Sequence, residues 1–245
     1  MNVLSMAGQR IALSAGEEQL SFYINYLLEY KLFGQTFYLT TTHISIILVM
    51  LLLIIFSICA NRKIKKADEI PGTFQNVIEL IVEMLDNMVN GIMGKNARRF
   101  VNYLSTIFIF ILVSNISGLL GLRPPTADYG VTLPLGLITF AMIHYNGIKK
   151  NKVKHFTALF EPFPLFFPIN LIGEIATPLS LSLRLFGNVM SGTVMMGLFY
   201  GLTPIFVQVG IPAALHVYFD LFSGAIQTYV FCMLTMVYVN DKIAD

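Results

Sequence analysis

Apolar residues in this chain gather into long uncharged runs rather than the short alternations of a soluble fold. Residues 44–60 carry no charge and are just long enough to cross a bilayer. Residues 103–122 form a second run, with Asn115 and a few hydroxyls as its polar groups, and residues 131–148 a third. Residues 168–201 are a fourth, interrupted by Glu174 and Arg184, and residues 205–239 a fifth, interrupted by Asp220. Each predicts a membrane helix. The last two exceed the roughly 20 residues a crossing needs. Each would be on the order of 50 Å long if helical throughout. They are therefore expected to be tilted, bent or partly unwound, with Pro178 and Pro212 as candidate bends. The short turn Gly201-Leu202-Thr203-Pro204 would make them an antiparallel hairpin.

Between the first two runs the pattern changes. Phe74, Val77, Ile78, Ile81, Met84, Leu85 and Met88 recur at spacings of three and four, with Glu79, Glu83 and Asp86 between them. This predicts an amphipathic helix over residues 71–93, lying on the inner membrane surface or packed on other subunits. Three prolines in Glu161-Pro162-Phe163-Pro164-Leu165-Phe166-Phe167-Pro168 predict an irregular connection. The expected fold class is all-α, a polytopic membrane protein of about five transmembrane helices. The last two are long, tilted and paired as a hairpin, with one amphipathic helix on the cytoplasmic face. Residues 1–245 read as a single membrane domain, with 1–40 as an outer-side N-terminal segment.

Composition agrees with that pattern. The chain is 56% hydrophobic and only 12% charged, with mean hydropathy +0.70, whereas soluble domains carry about 25% charged residues. A cytosolic enzyme, a disordered chain and a nucleic-acid binder are excluded on this ground, and a net charge of +2 implies no polyanionic partner. Cys59 and Cys232 lie in apolar runs without metal-ligand spacing, and Trp is absent. No secretory leader is apparent in residues 1–30. If the block Arg62-Lys63-Ile64-Lys65-Lys66 is cytoplasmic, five crossings put 12 Lys and Arg residues inside and 3 outside, with Arg184 in the membrane. The N-terminus is then outside and the C-terminus cytoplasmic.

Polar residues of the last two spans fall on helical faces. Thr177, Ser180, Arg184, Asn188 and Ser191 are spaced as one face of the fourth span, and His216, Asp220, Ser223 and Gln227 as one face of the fifth. An arginine at mid-membrane costs about 2.5–3.5 kcal/mol on insertion scales and stays protonated. It is either a structural partner of Asp220 or Glu174, or a functional charge. Glu174 reads as an interface carboxylate or an ion relay. Asp220 reads as an ion-path group or the partner of Arg184 or His216. His216, Asn188 and Gln227 read as interhelical hydrogen-bonding groups or members of the same path. Gly187, Gly192, Gly197 and Gly201 permit close approach of a helix or a moving surface.

Ser180-Leu181-Ser182-Leu183-Arg184-Leu185-Phe186-Gly187-Asn188 resembles the arginine segment of the F-type ATP synthase subunit a family. Gln227-Thr228-Tyr229-Val230-Phe231 followed by Leu234-Thr235-Met236-Val237-Tyr238 resembles that family's last helix, where a glutamine faces the arginine. Asn115-Ile116-Ser117-Gly118-Leu119-Leu120-Gly121-Leu122 with Pro124-Pro125-Thr126-Ala127-Asp128 is a third match, and the resemblance spans about residues 40–240. It implies a stator that conducts H⁺ or Na⁺ through two half-channels to and from the carboxylates of a c-ring. Arg184 would separate the channels, and Asn188 and Gln227 would orient it. Glu174 would serve the inner half-channel, and Asp220 with His216 the outer one. The implied partners are the c-ring, subunit b and the rest of the F1Fo ATP synthase, within a lipid bilayer and without nucleic acid. No cofactor, metal or catalytic activity of the isolated chain is implied. Thr193 stands where many relatives carry a glutamate, and Asp220 where some carry histidine, so the outer path would use other groups. The alternative reading is a secondary transporter with an intramembrane Arg/Asp pair, but internal repeats are not found. HExxH, GxSxG and P-loop motifs are likewise absent.

Overall fold

The structure is a computed structural model that describes residues 26–32, 35–65, 72–152, 156–160, 163–202 and 210–243. The expected turn at Thr203-Pro204, the ends of the cationic blocks at Lys66 and Lys154, and the start of the proline connection at Glu161-Pro162 lie outside them. So do Pro71 and most of the outer-side segment.

Five helical stretches among the described residues are long and apolar enough to cross a membrane. They are preceded by a small antiparallel hairpin, β1 (Tyr26–Leu32) and β2 (Gln35–Thr40). This hairpin belongs to the outer-side segment, for which hydropathy predicted no element. α1 (Thr41–Ile64) follows directly and starts with the backbone N–H of Thr40 donating to Nδ1 of His43 at 3.3 Å. Ile47, Leu51 and Ile55 on α1 are exposed, as suits a helix surrounded by lipid.

α2 (Thr73–Met93) is the amphipathic helix. Its buried stripe is Ile78, Leu85, Val89 and Met93, while Phe74, Val77 and Met84, assigned to that stripe from spacing, are exposed. A tight turn at Gly94–Asn96 joins α2 to α3 (Ala97–Ile116). The packed end of α2 therefore lies on this chain's own helices, and the Asn240 side chain donates to the carbonyl of Ile92 at 3.3 Å.

α4 (Tyr129–Asn151) and α5 (Phe167–Leu202) are the third and fourth spans. They meet closely at Gly136, where a Cβ would lie 2.6 Å from the carbonyl oxygen of Pro178. Only glycine permits that approach. The fifth span is not one regular helix. α6 (Ile211–His216) passes into a π-helical segment, Val217–Ser223, and then into α7 (Gly224–Ile243). The core between α2, α3, α4, α5 and α7 is formed by side chains such as Val89, Leu104, Ile111, Ile143, Leu185, Phe231 and Met236. Thr139 and Thr235 are buried within hydrogen-bonding distance, 3.4 Å apart, between α4 and α7.

Contacts at one end of the bundle bring together segments that the charge bias assigns to a single side. Nζ of Lys150 donates to the carbonyl of Ile243 at 2.7 Å, and Nδ2 of Asn151 to that of Lys242 at 3.3 Å. Nζ of Lys242 meets Glu174 near the start of α5. The ends of α4 and α7 and the start of α5 thus share one face.

Candidate functional site

α5 turns its two sides to different surroundings. Pro178, Leu181, Ser182 and Leu185 are buried, while Leu179, Ser180, Leu183, Arg184 and Gly187 are exposed. Arg184 thus stands on the outward face of its helix among mostly apolar neighbours. No ion pair or hydrogen bond joins it to another described residue. Asp220 and Glu174, its two candidate structural partners, are each engaged elsewhere. Among the described residues nothing fills the space in front of Gly187, where a Cβ would meet no atom within 4 Å.

Asp220 lies in the π segment. Its Oδ2 is 2.8 Å from Nδ1 of His216, whose ring is also close to that of Tyr200 on α5, with centroids 6.3 Å apart. The Asp220 carboxylate rests against Gly118, in the turn Ser117–Leu120 that ends α3. Ser223, at the far end of the π segment, turns to α5 instead and donates to Oδ1 of Asn188 at 3.0 Å. The wider π turns therefore divide the polar stripe of the fifth span between two neighbours, α5 and the end of α3. Gln227 is buried in α7, and its Nε2 has no hydrogen-bond partner among the described residues. Asn188 and Gln227 do not bond to Arg184.

Asn115 fixes where α7 begins. It is buried at 2% exposure. Its Nδ2 donates to the carbonyl of Gly224 at 3.0 Å and lies 3.3 Å from Oγ1 of Thr228. Its Oδ1 accepts from Oγ1 of Thr126 at 2.6 Å. A Cβ on Gly224 would stand 2.9 Å from that of Asn115, so the contact requires a glycine where the π segment ends.

Glu174 is on the opposite face. Its Oε1 accepts from Nζ of Lys242 at 2.8 Å, and its Oε2 lies 3.8 Å from Nε2 of His144. This cluster opens on a cavity of about 700 Å³ lined by Asn170, Glu174, Thr177, Asp241 and Lys242 as well as apolar side chains. Arg184 lies ten residues further along α5, roughly 15 Å at helical rise. The fold therefore carries one carboxylate cluster on each side of an outward-facing cation.

Residues 43–240 match the family described as ATP synthase A chain. The chain belongs to that family. It is 38% identical over 226 residues to ATP synthase subunit a, sodium ion specific, of Propionigenium modestum, covering 85% of this chain and 76% of that protein. It is 36% identical over 203 residues to ATP synthase subunit a 3 of Pelobacter propionicus, covering 81% and 85%. The subunit a of Bacillus velezensis is 34% identical over 236 residues, covering 87% and 95%. The family places the chain among multi-pass membrane proteins of ATP synthases, in keeping with its five apolar helices.

Within that family framework several polar groups stand out that spacing did not single out. Lys242 and His144 meet Glu174 and Asp241 lines the same cavity, yet they come from α4 and the end of α7. Gly118 and Gly224 accept Asp220 and Asn115, and only the close approach of another helix distinguishes them from other glycines. Thr193 donates to the carbonyl of Val189 in its own helix at 3.1 Å and reaches neither cluster.

Proposed function

We propose that this chain is the membrane stator of an F1Fo ATP synthase, conducting H⁺ or Na⁺ to and from the carboxylates of a c-ring through two half-channels. The observation that carries the reading is Arg184, a permanent cation on the exposed face of a membrane helix and unpaired among the described residues. Such a charge needs a partner from outside the chain. A ring carboxylate passing in its ionised form supplies one. A fixed cation also repels coupling ions, so it blocks direct flow between channels that open on opposite faces.

Glu174, with Lys242, His144 and the adjoining cavity, is the inner half-channel in this reading. Asp220 and His216 form the outer one. An ion entering from outside neutralises a ring carboxylate, which then crosses the apolar part of the membrane as the rotor turns. On the far side of Arg184 the ion leaves past Glu174. The transmembrane potential contributes about 2.3 kcal/mol per charge per 100 mV. Asn188, bonded to Ser223, ties the arginine helix to the π segment, and Gln227 offers a free donor near that junction. The remaining partners are subunit b and the F1 sector, and the membrane is that of a bacterial cell, with the C-terminus on the cytoplasmic side.

The test replaces Arg184 by Ala in the assembled complex. Vesicles are assayed for ATP synthesis and for passive ion leak through Fo. Loss of synthesis with retained leak is expected, and coupled synthesis at the normal rate overturns the role. The coupling ion is read from ATP-driven transport in liposomes with and without Na⁺ and a protonophore.

A further inference from the structure

Two contacts hold the π segment against the half of α5 that follows Arg184. The hydroxyl of Ser223 donates to Oδ1 of Asn188 at 3.0 Å. Four residues earlier in the segment, Phe219 packs on Gly192, where a Cβ would lie 3.3 Å from that of Phe219. Asn188 and Gly192 are likewise four residues apart, so the two contacts run antiparallel and stand about one helical turn from each other. The Phe219–Gly192 contact is apolar and docks the segment on α5 without help from Ser223. The hydroxyl of Ser223 is therefore left with a task other than packing.

That task concerns Arg184. Asn188 follows it by four residues, so the two side chains are neighbours on one face of α5. Arg184 is exposed there and Asn188 is half-buried. A guanidinium carries donors only, and an amide oxygen one turn away is the acceptor that its own helix offers most readily. In the structure that oxygen is engaged by Ser223, and no hydrogen bond joins Arg184 to Asn188. Ser191, the next polar residue on this face, does not compete for it, because its hydroxyl donates to the backbone carbonyl of Asn188 at 2.9 Å. Gln227, the amide expected to face the arginine, is buried in α7.

We propose that Ser223 is a positioning residue for rotor movement: by holding the Asn188 oxygen on the π segment, its hydroxyl keeps the Arg184 guanidinium free of its own helix and open to a ring carboxylate. The last torsion of an amide side chain is broad and roughly two-fold, so one hydrogen bond decides which way the oxygen faces. Without the hydroxyl, Asn188 turns its oxygen to Arg184 and engages donors that the carboxylate needs. The carboxylate is then held less well each time it passes the stator, and the rotor step slows. Ser223 touches neither the ion nor the carboxylate and acts through Asn188 alone. This role rests on the stator reading of Arg184 and adds to it a residue outside both half-channels.

The test compares Ser223→Thr with Ser223→Val in the assembled ATP synthase complex. The two introduced side chains have nearly the same shape and differ in one hydroxyl. Both variants should assemble in equal amounts and dissociate at the same temperature, because the Phe219 contact is kept. ATP-driven ion pumping in vesicles should stay near the wild-type rate in Ser223→Thr. In Ser223→Val it should fall about fivefold, the factor that one hydrogen bond of ordinary strength corresponds to. Ser223→Val/Asn188→Ala should pump at the rate of Asn188→Ala alone, since no amide is left to misplace. Equal pumping by Ser223→Thr and Ser223→Val overturns the proposal, and so do independent losses in the double variant. If Ser223→Val does not assemble, Ser223→Ala takes its place in both comparisons. Failure of both apolar variants to assemble makes Ser223 a packing residue and also overturns the proposal. Arg184→Ala separates these outcomes from failure of the stator reading. Coupled synthesis in Arg184→Ala refutes the stator, whereas its loss there together with normal pumping by Ser223→Val refutes the role of Ser223 alone.

Discussion

The carboxyl carbon of Asp220 lies 3.0 Å from the position that a Cβ on Gly118 would occupy, and both carboxylate oxygens lie 3.2 Å from it. The turn ending α3 is thus a seat for the carboxylate of the π segment, with His216 holding the opposite side at 2.8 Å. A methyl group at Gly118 would push the carboxylate away from the seat. Gly118→Ala should slow ATP-driven ion pumping several-fold in vesicles while the complex still assembles. In a background already lacking the carboxylate, Asp220→Ala, the same change should have little further effect. Additive losses in that double-mutant cycle would show that the two residues do not act together.

Asn115 makes a sharper prediction for stability. Removing its amide deprives Thr126 of its acceptor and the Gly224 carbonyl of a donor in a buried region. The orphaned Thr126 hydroxyl costs about 1–3 kcal/mol in soluble proteins, and membrane-buried pairs average less, while the Gly224 carbonyl keeps Oγ1 of Thr228 as a donor at 2.8 Å. Asn115→Ala should therefore lower the midpoint of thermal dissociation of the purified complex and reduce the amount assembled. Asn115→Leu should do so more, because it adds an apolar group beside Gly224. A melting profile identical to that of the wild type would remove Asn115 from the role of anchoring α7.

Much of this architecture was legible in the chain because lipid imposes one strong rule. Spanning segments must be long, apolar and internally hydrogen-bonded, so the runs at 44–60, 103–122 and 131–148 became α1, α3 and α4, with α1 and α4 longer at both ends and α3 starting earlier but stopping at Ile116. Spacing left Arg184 open between a partner of Asp220 or Glu174 and a functional charge, and only the family resemblance implied that it faces outward, where α5 exposes it. What spacing could not convey was the π segment. A helical wheel assumes 3.6 residues per turn, and Val217–Ser223 departs from it, which is why Asp220 and Ser223 reach different neighbours. Partners distant in sequence were equally hidden. Lys242 is 68 positions from Glu174, and Asn115 is 109 from Gly224.

The ion pair between Glu174 and Lys242 is open to a charge exchange. Both side chains are partly exposed to the adjoining cavity, so its role is to set local charge rather than to hold the fold. Glu174→Lys alone leaves two cations facing each other, and Lys242→Glu alone leaves two carboxylates beside Asp241. Each single change should lower the pumping rate. Combining them should recover a large part of it, because the pair is restored with reversed polarity. If instead the exchange pumps as poorly as Glu174→Lys, the carboxylate itself is required at position 174 and the lysine is secondary.

Two glycines, Gly136 of α4 against the buried side of α5 and Gly187 on its exposed side, separate folding from rotor contact. At Gly136 a Cβ would lie 2.6 Å from a backbone oxygen of α5, which cannot swing aside. Gly136→Ala should therefore force α4 and α5 apart and reduce the amount of assembled complex. At Gly187 a Cβ would meet nothing within 4 Å, so the chain by itself tolerates a larger side chain there. Gly187 is three residues from Arg184 on the exposed face, and a rotor sliding past that face would meet any group added to it. Gly187→Leu should then leave the chain folded and incorporated while ATP-driven pumping falls at least tenfold. ATP hydrolysis by the detached F1 sector should be unchanged. Pumping by Gly187→Leu at the wild-type rate would mean that the outward face of α5 does not run against the ring, and the stator reading of Arg184 would fall with it.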